Sequence, residues 1–211
     1  MTKPLAYLND RLKISSVVWS IQRNDELSGV GSGRFWQAEL ATPLWIATIG
    51  LAASYYDSLK QQAALIRSLH GAQEPFLLCD PQSRFPQADP KGTILGSAAV
   101  TVGSVGADRQ SITLKGLPAA YRLTLGDKIE VRFGDRYAFL ECVEVTAQAN
   151  GSGVTPAFAV FPHVPVGVGA NTPVSLINPA CRVVIYPESH NPGTAQKMVS
   201  EGAGFKVIQK L

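Results

Sequence analysis

This sequence predicts a mainly β chain with one amphipathic helix, organised as a first domain in which the helix packs on a sheet and a second, small β-barrel domain. Three observations predict it. Short β-branched and aromatic runs recur along the chain, and turn residues, among 19 Gly and 14 Pro, separate them too closely for helices. Only Ser54 to Leu69 repeats its apolar residues at three- and four-residue spacing. With 45% hydrophobic and 17% charged residues, the composition is globular rather than disordered.

In chain order, Ser16 to Gln22 reads SVVWSIQ, a β-branched, partly alternating strand. The polar stretch Arg23 to Ser28 and the glycines Gly29, Gly31 and Gly33 predict a flexible loop. Phe35 to Leu40 and Leu44 to Leu51 then read as two strands with a turn at Thr42-Pro43, because proline removes a ladder donor. The helix follows. Ser54 and Asp57 form an acidic version of a capping box, Tyr56, Leu59, Ala63, Ile66 and Leu69 form the apolar stripe, and Gly71 ends the helix. Pro75 to Cys79 is the next strand.

Asp80 to Gly96 carries three prolines and two glycines and reads as a linker. Beyond it, Ser111 to Leu114, Lys128 to Phe133, Arg136 to Thr146, Ala157 to Phe161 and Pro173 to Ile177 are strand candidates with turns between them. Five strands without an intervening helix suit a small barrel of the oligonucleotide/oligosaccharide-binding (OB) type. Cys181 to Tyr186 and Phe205 to Ile208 lie past the barrel and are expected to pair with the first domain. The expected division is therefore 1–91 with 179–211 as one domain, and 92–178 as the inserted barrel.

Chemistry is sparse. Nineteen Lys and Arg against 16 Asp and Glu, without a basic run, give no sign of a nucleic-acid face. His70, His163 and His190 lack metal-ligand spacing, and Cys79, Cys142 and Cys181 read as small buried hydrophobes. Asp80, Asp89, Asp127 and Asp135 sit beside Pro or Gly, where turns explain them, and Asn150-Gly151-Ser152 reads as a turn too. The glycine-rich Gly29 to Gly33 lacks the Lys-Ser/Thr ending of a phosphate loop. Met1 to Leu12 lacks a signal-peptide pattern, and Leu44 to Ala53 is too short to cross a bilayer, so synthesis in a cytoplasm is expected. Trp19, Trp36 and Trp45 are expected in core strands, with a subunit interface as the alternative. No catalytic, cofactor-binding or metal-ligating residue is nominated, and an enzyme is not expected.

The order of segments resembles the distal tail proteins of long-tailed bacteriophages (siphophages). It runs through Phe35-Trp36-Gln37-Ala38-Glu39-Leu40, Leu44 to Leu51, Ser54 to Leu69 and Phe76-Leu77-Leu78-Cys79-Asp80-Pro81. It continues with Leu117-Pro118 before Gly126-Asp127, a hairpin reaching Phe161-Pro162, and Pro179-Ala180-Cys181 opening the returning strand. The resemblance implies a tail-tube-like β-sandwich carrying an inserted OB-like β-barrel. It also implies a homohexameric ring in the tail tip of the virion, between the tail tube and the hub or baseplate, with no catalytic residue. Asn24 to Gly33 would be an arm reaching towards a neighbour. The alternative is a module for host-surface glycans, for which Tyr121, Arg122, Arg132, Arg136 and Tyr137 are the candidate residues.

Overall fold

A computed structural model describes residues 1–211. The chain begins with two long strands, β1 (Ile14–Gly29) and β2 (Phe35–Leu51), then β3 (Ser54–Tyr55), helix α1 (Tyr56–Arg67) and β4 (Phe76–Cys79). Next come β5 (Thr101–Val105), β6 (Ser111–Lys115), β7 (Arg122–Thr124), β8 (Lys128–Phe133), β9 (Arg136–Cys142) and β10 (Thr146–Gln148). The remainder is β11 (Phe158–Phe161), β12 (Val174–Ser175), β13 (Ala180–Ile185), β14 (Thr194–Gln196), β15 (Val199–Glu201) and β16 (Gly204–Gln209). The protein is thus mainly β with one helix.

Two sheets dominate. One has the order β1-β2-β16-β13-β4, so the last strands of the chain lie between the first ones. The other has the order β12-β8-β9-β11-β6-β5 and curls until its ends nearly meet. A bridge between Thr101 and Pro173, with Val102 N–H donating to Thr172 O (2.9 Å) and Val174 N–H to Val100 O (3.0 Å), joins those ends into a nearly closed barrel. Closure removes edges that would otherwise template pairing with other chains.

Each sheet covers its own core. The barrel encloses 20 buried residues between Leu95 and Leu176. The second core gathers 18 from Leu8 to Leu78, from Cys181 to Val207, and one outsider, Phe139. Strand periodicity explains the outsider. Successive residues of β9 point to opposite faces, so Ala138, Leu140 and Cys142 fill the barrel while Phe139 points into the neighbouring core. This is why β9 is apolar on both sides.

Several sequence expectations are corrected. Arg23 to Ser28 is strand rather than loop, because cross-strand pairing from Asn24↔Ala41 to Gly29↔Phe35 satisfies its backbone despite its polar side chains. Thr42-Pro43 is not a turn, and β2 runs through it. Pairing with β16 covers only Ile46 to Gly50, and the β1–β2 register slips between Gln22 and Asp25, so Pro43 sits at an irregularity where its missing N–H costs no ladder bond. The capping box is absent. Ser54 and Tyr55 are held as β3 against β15, and the first helical N–H, on Tyr56, donates to Met198 O (3.2 Å). Tyr56 is consequently exposed, whereas Leu59, Ala63, Ile66 and Leu69 are buried as the stripe requires.

The stretch Asp80 to Gly96 is pinned rather than a free linker. Asp89 accepts from Ile94 N–H and Leu95 N–H (3.2 and 2.9 Å), and Asp127 accepts from Gln87 N–H and Thr124 N–H (2.9 and 2.7 Å). Asp80 accepts from Gln82 N–H (2.9 Å), so these three aspartates do the turn work read from their neighbours. The barrel has six strands, not five. β5 contains Gly103 and lacks a continuous apolar run, which hides it in the sequence. Arg136 to Thr146 is broken after Cys142, where Val143 and Val145 turn to solvent.

Phe139 is the test of how far the two cores depend on one another. Phe139→Ala is expected to lose about 3–5 kcal/mol in urea unfolding, the range for deleting a buried aromatic ring. Val145→Ala, on the exposed break beyond the same strand, should change stability by less than about 0.5 kcal/mol.

Candidate interaction surface

Beyond the sheet, β1 and β2 continue as a free two-stranded arm. Every residue from Glu26 to Thr42 is exposed. The tip is a glycine turn, closed by Val30 N–H donating to Arg34 O (2.9 Å) and Gly33 N–H to Val30 O (3.0 Å), with Gly33 at φ +79°. A side chain at Gly33 would strain that left-handed backbone. The sequence motif that superficially suggested a phosphate loop is therefore a hairpin tip.

The arm's side chains do not match a surface that stays in water. Opposite residues of an antiparallel pair share a face, so Trp36 lies with Ser28 and Phe35 with Gly29. Ala38 follows Trp36 on one face, while Leu27 shares the Phe35 face. Phe35 and Trp36 are each 71% exposed, Leu40 67% and Leu27 65%. Burying such side chains contributes about 1.5–3 kcal/mol each. An isolated two-stranded ribbon is also marginal in water, so an arm with both faces bare gains stability from any partner that covers it. Beside it, β1 is the outermost strand of its sheet, with an unpaired edge from Ile14 to Gly29.

The root is built quite differently. Trp45 is buried and donates its indole N–H to Phe139 O (2.8 Å), and Trp19, Trp45 and Phe139 pack with ring centroids 5.3–6.1 Å apart. Lys128 places Nζ 3.8 Å from the Trp45 ring centre and 2.5 Å from Glu141 Oε2. A cation over an indole face, with a carboxylate to balance it, is a tolerable way to bury an ammonium. Trp19 Nε1, Gln22 Oε1 and Asp25 Oδ1, all on β1, have no hydrogen-bond partner. The three tryptophans thus divide: Trp45 is core, Trp19 half-buried at the root, and Trp36 exposed on the arm.

The five glycan candidates do not form one face. Arg132 and Tyr137 border one depression, Tyr121 and Arg122 another, and Arg136 a third beside Arg109 and His163. Tyr121 and Tyr137 are themselves buried, because their rings belong to the packing and not to the surface. His70, His163 and His190 sit on separate segments, and no group of three His, Cys, Asp or Glu side chains converges. Burial lowers the His190 pKa, with Arg67 adding to it. The three cysteines are buried and free. Burial pushes the Cys79 thiol up to about 12 and raises Cys142 and Cys181 as well, so all three serve as small apolar side chains. Asn150 Oδ1 accepts from Ser152 N–H and Val154 N–H (2.9 and 3.0 Å), an ordinary turn.

A second tie joins the barrel to the sheet. Glu130 on β8 accepts from the N–H of Ala180, the first residue of β13 (2.8 Å). Burial holds its carboxyl above the usual carboxylate range, opposed by that hydrogen bond and by Arg132. No family model matches this sequence, and no curated protein matches it.

The Glu130 shift has a sign that can be measured. A carboxyl that binds its proton more tightly folded than unfolded loses stability as pH rises through and above the unfolded pKa. Glu130→Gln keeps an oxygen for Ala180 and cannot ionise. Its melting temperature should exceed that of the parent at pH 7.5 in calorimetry, with the gap closing by pH 4. A lower melting temperature at pH 7.5 would show instead that the charge is favourable there.

Proposed function

We propose that this chain is a distal tail protein of a long-tailed bacteriophage, a structural subunit whose ring joins the tail tube to the tail-tip hub or baseplate. One observation carries the reading: an exposed arm, apolar on both faces, runs beside the unpaired edge of β1. A monomer gains nothing from such a surface, and exposed apolar patches of this kind mark sites of association. The arm lies where the segment order, resembling that family, expects a reach towards a neighbour.

On this reading residues 1–91 with 179–211 are the ring-forming, tail-tube-like sandwich, and 92–178 an inserted barrel of OB-like type. The return of β13 and β16 into the sheet of β1, β2 and β4 supports that division, as do the two separate cores. A heterologous contact, in which the arm meets a different surface of the next copy, closes into a ring when its rotation is a whole fraction of a turn. Six copies are what the family resemblance implies. The tail tube and hub proteins are the partners above and below the ring, and the virion tail tip is its location.

Negative-stain electron microscopy of the purified protein, with sedimentation velocity alongside, tests this directly. Closed six-fold rings with a central channel are the expected images. Monomers that persist to about millimolar concentration, where even weak specific contacts form, would overturn the ring. Replacing both Trp36 and Leu40 by Ser should abolish assembly while leaving the thermal unfolding of the subunit within a few degrees of the parent.

A further inference from the structure

We infer that the Trp36 face of one copy's arm packs across the small sheet β14-β15-β3 of the next copy, on an apolar patch made by Tyr55, Met198 and Val199. Resting on the ring reading, this names the surface that receives the arm. Strand register builds the patch. Gln196 pairs with Val199 and Val199 with Tyr55, so these three side chains form one row across a single face of the sheet. Ser200, the next residue of β15, is buried on the opposite face. Tyr55 is 69% exposed and Met198, at the hairpin turn, 64%. Tyr56, whose N–H donates to Met198 O, adds a second exposed aromatic ring at the start of α1. The barrel's exposed Leu125, Val143 and Val145 offer no aromatic ring, the side-chain type that dominates binding energy at interfaces.

The two faces of the arm differ in what docking would desolvate. By the β1–β2 register, Asp25, Leu27, Phe35, Gln37 and Glu39 share one face, and Glu26, Ser28, Trp36 and Ala38 share the other. The Trp36 face takes one carboxylate out of water and the Phe35 face two, and removing a charge from water is costly. Trp36, Tyr55, Tyr56, Met198 and Val199 leave on the order of 600 Å² of side-chain surface bare. With the polar and backbone atoms between them, the contact approaches the roughly 1,000 Å² of a specific interface.

Distance prevents one copy from covering its own patch. β2 runs unbroken from Phe35 to Leu51, and β3 follows it. At about 3.3 Å per residue, Trp36 lies about 50 Å from the patch end of that strand. Arm and patch therefore sit at opposite ends of one continuous strand. A contact between them joins copies head to tail, the heterologous kind from which rings are built. β14 also leaves its outer edge without a strand partner, so a docked ribbon meets backbone groups as well as side chains.

Disulfide trapping on the full chain tests the contact. Ser28 lies opposite Trp36 on the arm and Gln196 beside Val199 in the patch, so a cysteine at either position leaves the apolar side chains in place. The three native cysteines are buried and give little background. On mild oxidation, Ser28→Cys chains mixed with tagged Gln196→Cys chains should give the mixed dimer as the main product on a non-reducing gel. Ala195→Cys, exposed on the opposite face of β14, should not replace Gln196→Cys in this reaction. Tyr55→Ser with Val199→Ser should weaken association about tenfold or more in sedimentation velocity. Calorimetry on that variant separates lost docking from lost folding, since a misfolded subunit lacks the parent's cooperative transition. If the patch replacements leave association unchanged while those at Trp36 and Leu40 abolish it, the arm docks elsewhere; the patch is not its acceptor and the ring stands. Ser28→Cys chains that cross-link mainly to one another would show arm meeting arm and overturn the patch as well. If the parent never associates, ring and patch both fall.

Discussion

The hydrogen bond from the Trp45 indole to the carbonyl of Phe139 sits where the two halves of the molecule meet, and much of the architecture depends on it. Trp45 belongs to β2 and Phe139 to the barrel strand β9. Around that bond, Trp19 packs on both rings, Lys128 caps the indole, and Glu141 balances the lysine. An indole N–H buried beside an ammonium is costly unless each polar group finds a partner, and here both do. The barrel is therefore joined to the sheet by the paired Trp45 indole and Lys128 ammonium inside an aromatic cluster in which Trp19 Nε1 is left without a partner, a contact that fixes position as well as adding area.

From that junction the molecule separates its tasks. Below the root, β2 is paired on both sides and lies over the core; above it, the same strand has β1 alone and solvent all around. Nothing in the covalent chain changes at the boundary apart from Thr42-Pro43 and the slipped register. A bulge bends and twists a ribbon locally, so this irregularity aims the arm as well as accommodating the proline. Natural sheets blunt exposed edges to avoid unwanted pairing, and a long bare edge with Leu27, Phe35, Trp36 and Leu40 nearby contradicts that habit unless association is its purpose.

Much of this was legible in the sequence, and the failures share a cause. Strands with strong β-branched or aromatic patterns, such as Lys128 to Phe133 and Cys181 to Tyr186, were found nearly to the residue. The helix stripe was found as well, apart from its first turn, because Leu59, Ile66 and Leu69 must face one core. The β1 half of the arm was missed as strand, although Phe35 to Leu40 opposite it was not, because a ribbon exposed on both faces has no buried side to impose alternation. Its polar residues Arg23 to Ser28 read as loop for that reason. The capping error has the same origin: Ser54 was claimed by β15, nearly 150 residues away, and local pattern does not reveal a distant strand. Phe139 could have been singled out, since a barrel strand apolar on both faces must have something apolar outside it.

The unbroken course of β2 through Pro43 has a mechanical consequence. A load applied along the arm's tip enters the body through one continuous backbone, with no flexible joint to absorb it. At the root that strand is laced on both flanks, to β1 and to β16, by hydrogen bonds lying across the direction of pull. Such a ladder is loaded in shear, so its bonds must yield together instead of unzipping one after another. An appendage anchored in this way behaves as a stiff tie rod: it can hold tension, and it carries strain at its tip into the sheet from which it grows.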